Sequence, residues 1–246
     1  MKISKDFFTD SALTIESPNL GELVRVNDFD LAAYEQRCPM LREGYIHLKQ
    51  VLTREESNAL SEEVSRLIET GLPAVFVFAY DQAWLLSVRL HKILSSYLGN
   101  DYIRLPDFWA WHLDPDEEQG GWAPHRDKNY LALDSEGKPR SLTAWFSLTV
   151  STPLNGCMYI VPAYRDPTYG TENDKDRQFN YQDIRALPSS AGDVLLWNQC
   201  VFHWGSRASN MAASSRISVA FEYQRGKETP FNQPAMNPLQ IPDFDS

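Results

Sequence analysis

His125 and Asp127 form a His-x-Asp pair, and a second imidazole, His203, follows far downstream, ahead of Arg216-Ile217-Ser218. Two imidazoles and one carboxylate grip a divalent transition metal from one side and leave half of an octahedron open, the ligand set of non-haem Fe(II) oxygenases. Residues two apart on a strand project from one face, with α-carbons about 6.6 Å apart. His125 and Asp127 on such a strand would both lean onto an ion about 2.1 Å from each donor atom. His203 would then arrive from another strand or its following turn. Arg216 and Ser218 share a strand face by the same parity. A guanidinium makes a two-pronged charge-assisted pair with a carboxylate, and a hydroxyl adds a third bond. That pair suits the far carboxylate of a 2-oxoacid co-substrate. Taken singly, His-x-Asp is common by chance and a lone histidine is usually structural; the downstream Arg216-x-Ser218 ties the set together. Arg207 competes as anion ligand, but its Gly-Ser and Ala-Ser neighbours place it in a loop without a paired hydroxyl.

The elements that must carry these side chains are mostly short strands. After Asn100, alternating or apolar runs occur near Phe108 to Leu113, Leu142 to Val150, Cys157 to Val161, Asp193 to Trp197 and Arg216 to Gln224. Turn-rich stretches such as Asp134-Ser135-Glu136-Gly137 and Ala191-Gly192-Asp193 separate them. Many short strands without intervening helices predict a sandwich or barrel. Before them, Gly44 to Val51 reads as a strand and Thr53 opens a helix, with Glu56 completing a capping box. Leu60, Val64, Leu67 and Ile68 fall on one helical face. A second helix begins near Asp81, places Leu86, Leu90, Ile93, Leu94 and Tyr97 on one stripe, and ends at Gly99. The expected fold is therefore mainly β with flanking helices: a jelly roll of the cupin-like kind, with the N-terminal helices packed on the outer face of its major sheet. Such cover resolves the parity of the last strand. Ile217, Val219, Phe221 and Tyr223 meet the helices while Arg216 looks into the barrel.

One domain over residues 1–246 is expected at this length, with a helical part at about 1–100, a jelly-roll core at about 101–225 and an extended tail at 226–246 marked by Pro230, Pro234, Pro238 and Pro242. The first forty residues read as irregular cover. Ala163 to Ser190 reads as a long polar connection, the kind that serves as a lid. A net charge of −10 without a Lys/Arg run argues against nucleic acid or an anionic membrane as partner. Cys38, Cys157 and Cys200 form neither an even set nor a CxxC metal motif, as in a reducing cytoplasm. Neither a signal peptide nor a stretch long enough to span a bilayer is evident. The expected protein is cytoplasmic and acts on a small molecule; its oligomeric state is not encoded in any of these features.

The order of motifs resembles the phytanoyl-CoA dioxygenase-like (PhyH) family of Fe(II)/2-oxoglutarate oxygenases, over roughly Glu43 to Gln224. The residues that carry the likeness are Gly44-Tyr45-Ile46, Pro124-His125-Arg126-Asp127, Thr143-Ala144-Trp145-Phe146-Ser147-Leu148, Asn155-Gly156-Cys157-Met158, Gly192-Asp193, His203 and Arg216-Ile217-Ser218. The resemblance implies a double-stranded β-helix that uses Fe(II), 2-oxoglutarate and O2, with Trp145 on a strand that borders the co-substrate. Val161-Pro162-Ala163-Tyr164-Arg165 stands where many members carry Pro-Gly-Ser-His, so the substrate side departs from the common pattern. Asp127 is kept where related halogenases place a small residue, which favours hydroxylation.

His112 is a candidate contact to 2-oxoglutarate, and Trp122 and Asn129, flanking the metal motif, are candidate substrate residues. His47, His91, Trp109, Trp111, Trp197 and Trp204 read as structural. Two rival functions share the fold. A cupin-like metal-dependent hydrolase or isomerase needs no keto-acid anchor, and a non-catalytic ligand-binding jelly roll needs no metal triad.

Overall fold

Thr53 and Glu56 exchange both bonds of a capping box, Thr53 N–H to Glu56 Oε2 at 2.8 Å and Glu56 N–H to Thr53 Oγ1 at 3.2 Å. They start helix α1, Arg54–Glu69. Removing that cap with Thr53→Ala is expected to cost about 1 kcal/mol, read from the urea midpoint. The computed structural model describes residues 5–16, 27–37, 39–117 and 120–242; Cys38 lies outside them. The stripe after Asp81 forms two helices, α2 (Asp81–Arg89) and α3 (His91–Leu98), rather than one. A tight turn at Leu90, whose N–H reaches Ser87 O, separates them while leaving Leu86, Leu90 and Leu94 buried together. Gly99 ends α3 as expected.

Among the described residues, eight strands follow or precede these helices: β1 (Tyr45–Leu48), β2 (Ile103–Leu113), β3 (Ser141–Ser147), β4 (Met158–Ile160), β5 (Arg185–Leu187), β6 (Val194–Asn198), β7 (His203–Gly205) and β8 (Arg216–Gln224). They build a five-stranded sheet in the order β1-β6-β3-β8-β2 and a three-stranded sheet in the order β5-β4-β7. Every pairing is antiparallel. This is the jelly roll, a major and a minor sheet facing each other.

Strand parity divides the major sheet cleanly. Leu142, Ala144 and Phe146, Val194 and Leu196, and Ile217, Val219, Phe221 and Tyr223 pack against Leu60, Val64, Leu67, Leu90, Ile93 and Leu94 of the helices. The helices thus cover the outer face. On the inner face Trp145, Leu195, Trp197 and Ala220 meet Met158, Ile160 and Leu187 of the minor sheet. With both faces buried, β8 can carry an apolar set outward and a polar set inward.

Two expectations are corrected. The first forty residues include short helices at Asp6–Thr9, Leu31–Arg37 and Met40–Glu43, and Phe8 and Leu13 enter the helix-side core. The connection after Ala163 is not a free lid. Arg126 pins it through Asp166 (2.7 Å), Thr168 Oγ1 (3.0 Å) and Asp174 O (2.8 Å), and its last part becomes β5. The proline-marked tail is extended but tied down: Arg104 and Met236 exchange backbone bonds at the edge of β2. Among the described residues no helix is long and apolar enough to cross a membrane.

Candidate metal centre

His125, Asp127 and His203 converge, with their ligand atoms all within 4.8 Å of one another. Asp127 Oδ1 lies 3.3 Å from His203 Nε2 and 3.7 Å from His125 Nε2. Donors at right angles around an ion about 2.1 Å away would sit about 3 Å apart, so a small contraction closes the site. His203 opens β7, but His125 is not on a regular strand. The segment between β2 and β3 meets β7 through a bridge, His125 N–H to His203 O at 3.1 Å and His203 N–H to His125 O at 2.9 Å. Two backbone bonds replace the expected strand as the device that aligns the imidazoles.

Each imidazole is oriented by its second nitrogen. Nδ1 of His125 faces Ala123 O at 2.9 Å and Nδ1 of His203 faces Val201 O at 3.3 Å. With the proton on Nδ1 donated to a carbonyl, Nε2 keeps its lone pair for a metal. Asp127 is oriented likewise. Its Oδ2 accepts from Thr143 Oγ1 (2.6 Å) and Trp197 Nε1 (2.9 Å), which leaves Oδ1 facing the histidines. Thr143 and Trp197 are cross-strand partners on β3 and β6, so the sheet register delivers both donors to one oxygen. Burial alone would raise the Asp127 carboxyl; the charge and hydrogen bond of His203, then Thr143 and Trp197, outweigh it and hold it below the carboxylate range. Burial lowers the His203 imidazole, but Asp127 raises it further, for a net rise. His125 is lowered by burial and by His203.

Removing either Asp127 donor, as Thr143→Val or Trp197→Phe, is expected to weaken nickel or zinc binding about 10- to 100-fold. Unchanged metal isotherms would show that these donors do not set the carboxylate.

The triad lies in the wall of a cavity of about 280 Å³ between the sheets, which Trp145, Met158, Gly205 and Arg216 also line. Arg216 is 2% exposed. Its Nη1 donates to Ser218 Oγ at 3.0 Å, its Nε has no acceptor, and among the described residues no carboxylate forms an ion pair with it. Burial pushes the guanidinium down to about 10, so it stays cationic at neutral pH. A buried cation without a counter-charge costs several kcal/mol unless an anion joins it. Gly156 shapes this end: at φ 92° an added Cβ would lie 2.8 Å from Ser206 O and 3.7 Å from Arg216 Nε. The Trp145 ring centre is 5.6 Å from Arg216 Cζ, so this tryptophan borders the guanidinium.

Other candidates separate. Trp122 lines the cavity and is 47% exposed. His112 does not line it: it pairs with Ile217, whose side chain joins the helix-side core, so parity turns it to the opposite face. Asn129 also lies outside the cavity. Its side chain accepts from Leu131 N–H at 3.0 Å and caps a short turn. His47 and His91 are structural, facing Asp193 and the Tyr102 hydroxyl. Arg207 is exposed in a loop.

Several cavity residues escaped the sequence reading. Trp109, Trp111 and Trp197 read as core, yet all three line the cavity, and Trp109 is 51% exposed. Strand parity carried that signal, since Trp109 and Trp111 pair with Ala220 and Ser218 on the face of Arg216. Asp107 and Glu222 line the cavity as well. Burial, followed by the nearby Asp127 charge, pushes Glu222 up to about 7.

The chain belongs to the phytanoyl-CoA dioxygenase (PhyH) family, whose profile matches residues 74–218 and so spans the triad, Arg216 and Ser218. Enzymes of this family work with Fe(II), 2-oxoglutarate and O2. No curated protein matches the chain. Among solved structures it is similar to the non-haem α-ketoglutarate-dependent epimerase SnoN from nogalamycin biosynthesis, at 22% identity and TM-score 0.60, with 88% of each chain covered. It is also similar to AviO1 from Streptomyces viridochromogenes Tue57, at 18% identity and TM-score 0.62, covering 85% of this chain and 100% of that one. HygX from Streptomyces hygroscopicus, solved with nickel and 2-oxoglutarate bound, aligns at 17% identity and TM-score 0.59 over 82% of this chain and 89% of its own. At these identities the likeness is one of fold.

Proposed function

We propose that this protein is an Fe(II)/2-oxoglutarate-dependent dioxygenase that hydroxylates a small-molecule substrate, with release of succinate and CO2. The observation that carries this reading is the buried, anion-seeking Arg216, set beside Ser218 in the same cavity as the His125-Asp127-His203 triad. A metal-dependent hydrolase or isomerase needs no such anchor, and a ligand-binding jelly roll needs no converging triad.

His125, Asp127 and His203 would hold the ion through Nε2, Oδ1 and Nε2, leaving its other positions to co-substrate and O2. When bound, the ion supplies activation of O2 coupled to oxidative decarboxylation of the keto acid. The chain does the rest. Arg216 and Ser218 bind the far carboxylate of 2-oxoglutarate, Trp145 borders it, and the apolar walls exclude water. Asp127 stays as ligand, so the position that a halide takes in related halogenases is filled, which favours hydroxylation. We assign the whole of residues 1–246 to this one catalytic domain and place it in the cytoplasm, with a small molecule as its partner.

A metabolite panel supplied with Fe(II), 2-oxoglutarate and O2 tests the outcome. Hydroxylation yields succinate and a product heavier by one oxygen atom in equal amounts. A product lighter by two hydrogens, formed with equal succinate, would point to ring closure or desaturation instead; a product of unchanged mass, formed with equal succinate only when an external reductant such as ascorbate is supplied, would point to epimerisation.

A further inference from the structure

Resting on the oxygenase reading, the cavity divides along β8. Arg216, Ser218, Ala220 and Glu222 follow one another on its inner face, with Arg216 and Glu222 about 20 Å apart along the strand. Thr143, the residue that donates to Asp127, is the cross-strand partner of Glu222. The metal centre therefore lies toward the Glu222 end, and a co-substrate reaching from Arg216 to the ion leaves Glu222 on its far side. That remaining end is where a substrate must enter.

The two ends differ in charge. Between Arg216 and the metal centre one guanidinium, the Asp127 carboxylate, a divalent ion and a dianionic keto acid would sum to zero. At the other end Asp107 and Glu222 both line the cavity, and among the described residues Arg216 is the only Lys or Arg in its lining. Lys128, outside that lining, approaches Glu222 Oε2 at 3.0 Å. Asp107 is held by a neutral group, the Asn232 amide, at 2.6 Å from each carboxylate oxygen. Lys128 offsets Glu222, so the Asp107 carboxylate, held by a neutral amide, is left without a cationic partner among the described residues in a confined, aromatic space. Independently of these carboxylates, the indole of Trp109 stands half-exposed in the same wall. Indole faces attract ammonium groups, so this ring is suited to cover the body of a cationic ligand in the cavity.

We infer that the substrate is a monocationic amine with a flat or apolar body, its ammonium seated between Asp107 and Glu222 and its body against Trp109. These three side chains set specificity, while the His125-Asp127-His203 centre sets the chemistry. The net charge of −10 would also draw a cation toward the cavity.

The test uses the nickel-loaded protein saturated with 2-oxoglutarate, which occupies Arg216 and keeps other acids away from it. Benzylamine, benzyl alcohol and benzoate serve as size-matched cationic, neutral and anionic probes in calorimetric titrations. Benzylamine should bind at least about tenfold tighter than benzyl alcohol, and benzoate weakest, as complementary charge in a partly desolvated site requires. In the Asp107→Asn/Glu222→Gln double variant the preference for benzylamine should disappear, while 2-oxoglutarate affinity, set at the far end, reports an intact fold. Benzyl alcohol or benzoate binding as well as benzylamine would overturn the inference. So would an undiminished preference in the double variant. If the nickel form does not bind 2-oxoglutarate at all, the oxygenase reading falls and takes this one with it.

Discussion

Asp127→Ala is expected to abolish activity and to lower affinity for nickel or zinc by more than about 100-fold, beyond what loss of an orienting partner costs. Two imidazoles alone supply no anionic ligand. The two donors aimed at Oδ2, from Thr143 and Trp197, also lose their acceptor. Leaving buried donors unpaired costs about 1–3 kcal/mol each, while relief of the carboxylate's own burial offsets part of that. The variant should therefore fold with a lowered midpoint yet fail to bind metal, a separation that calorimetry on matched apo samples makes visible. Native-like metal affinity in Asp127→Ala would remove the carboxylate from the centre.

Arg216→Met is expected to have the opposite signature. Breaking a buried hydrogen-bonded charge pair costs about 2–5 kcal/mol, which is roughly a 30-fold or greater loss of 2-oxoglutarate affinity. Metal affinity should not change, because the guanidinium touches none of the three ligands. The free protein should be as stable as the native one or more so, since the substitution removes a buried cation that, among the described residues, has no carboxylate partner. The sign in pH agrees. With the guanidinium pushed down to about 10, the unfolded chain binds the extra proton between there and its ordinary range. Its destabilising effect is thus fully present below pH 10 and fades only above it. A destabilised Arg216→Met that still binds 2-oxoglutarate normally would make Arg216 a structural residue.

The elements most legible in the sequence were those with a local cause. The capping box at Thr53, the buried stripe on α1 and the strand Arg216–Gln224 each follow from spacing alone. The inward aim of Arg216 needed one further step, that helices cover the other face, and the same parity rule applied to β2 would have moved His112 out of the site and Trp109 and Trp111 into it. What spacing does not reveal is structure held by a few distant bonds. The three-residue strands β5 and β7 are too short to show a period. His125 is aligned by one bridge to His203, a partner chosen by the fold rather than by its neighbours in the chain. The connection after Ala163 reads as a loose polar loop because its anchor, Arg126, lies in a different segment. Glu222 was hidden for a similar reason: its polar side chain, one of several on β8, acquires meaning only when Thr143 and Asp127 are seen beside it.

The central claim is that one cavity holds a metal through three residues and a keto acid through Arg216. Anaerobic titration of the apo protein with Fe(II) and 2-oxoglutarate addresses it most directly. A visible charge-transfer band should appear only when both are present, persist in Thr53→Ala, and be absent in Asp127→Ala. A protein that binds Fe(II) with native stoichiometry yet shows no band at saturating 2-oxoglutarate would contradict it.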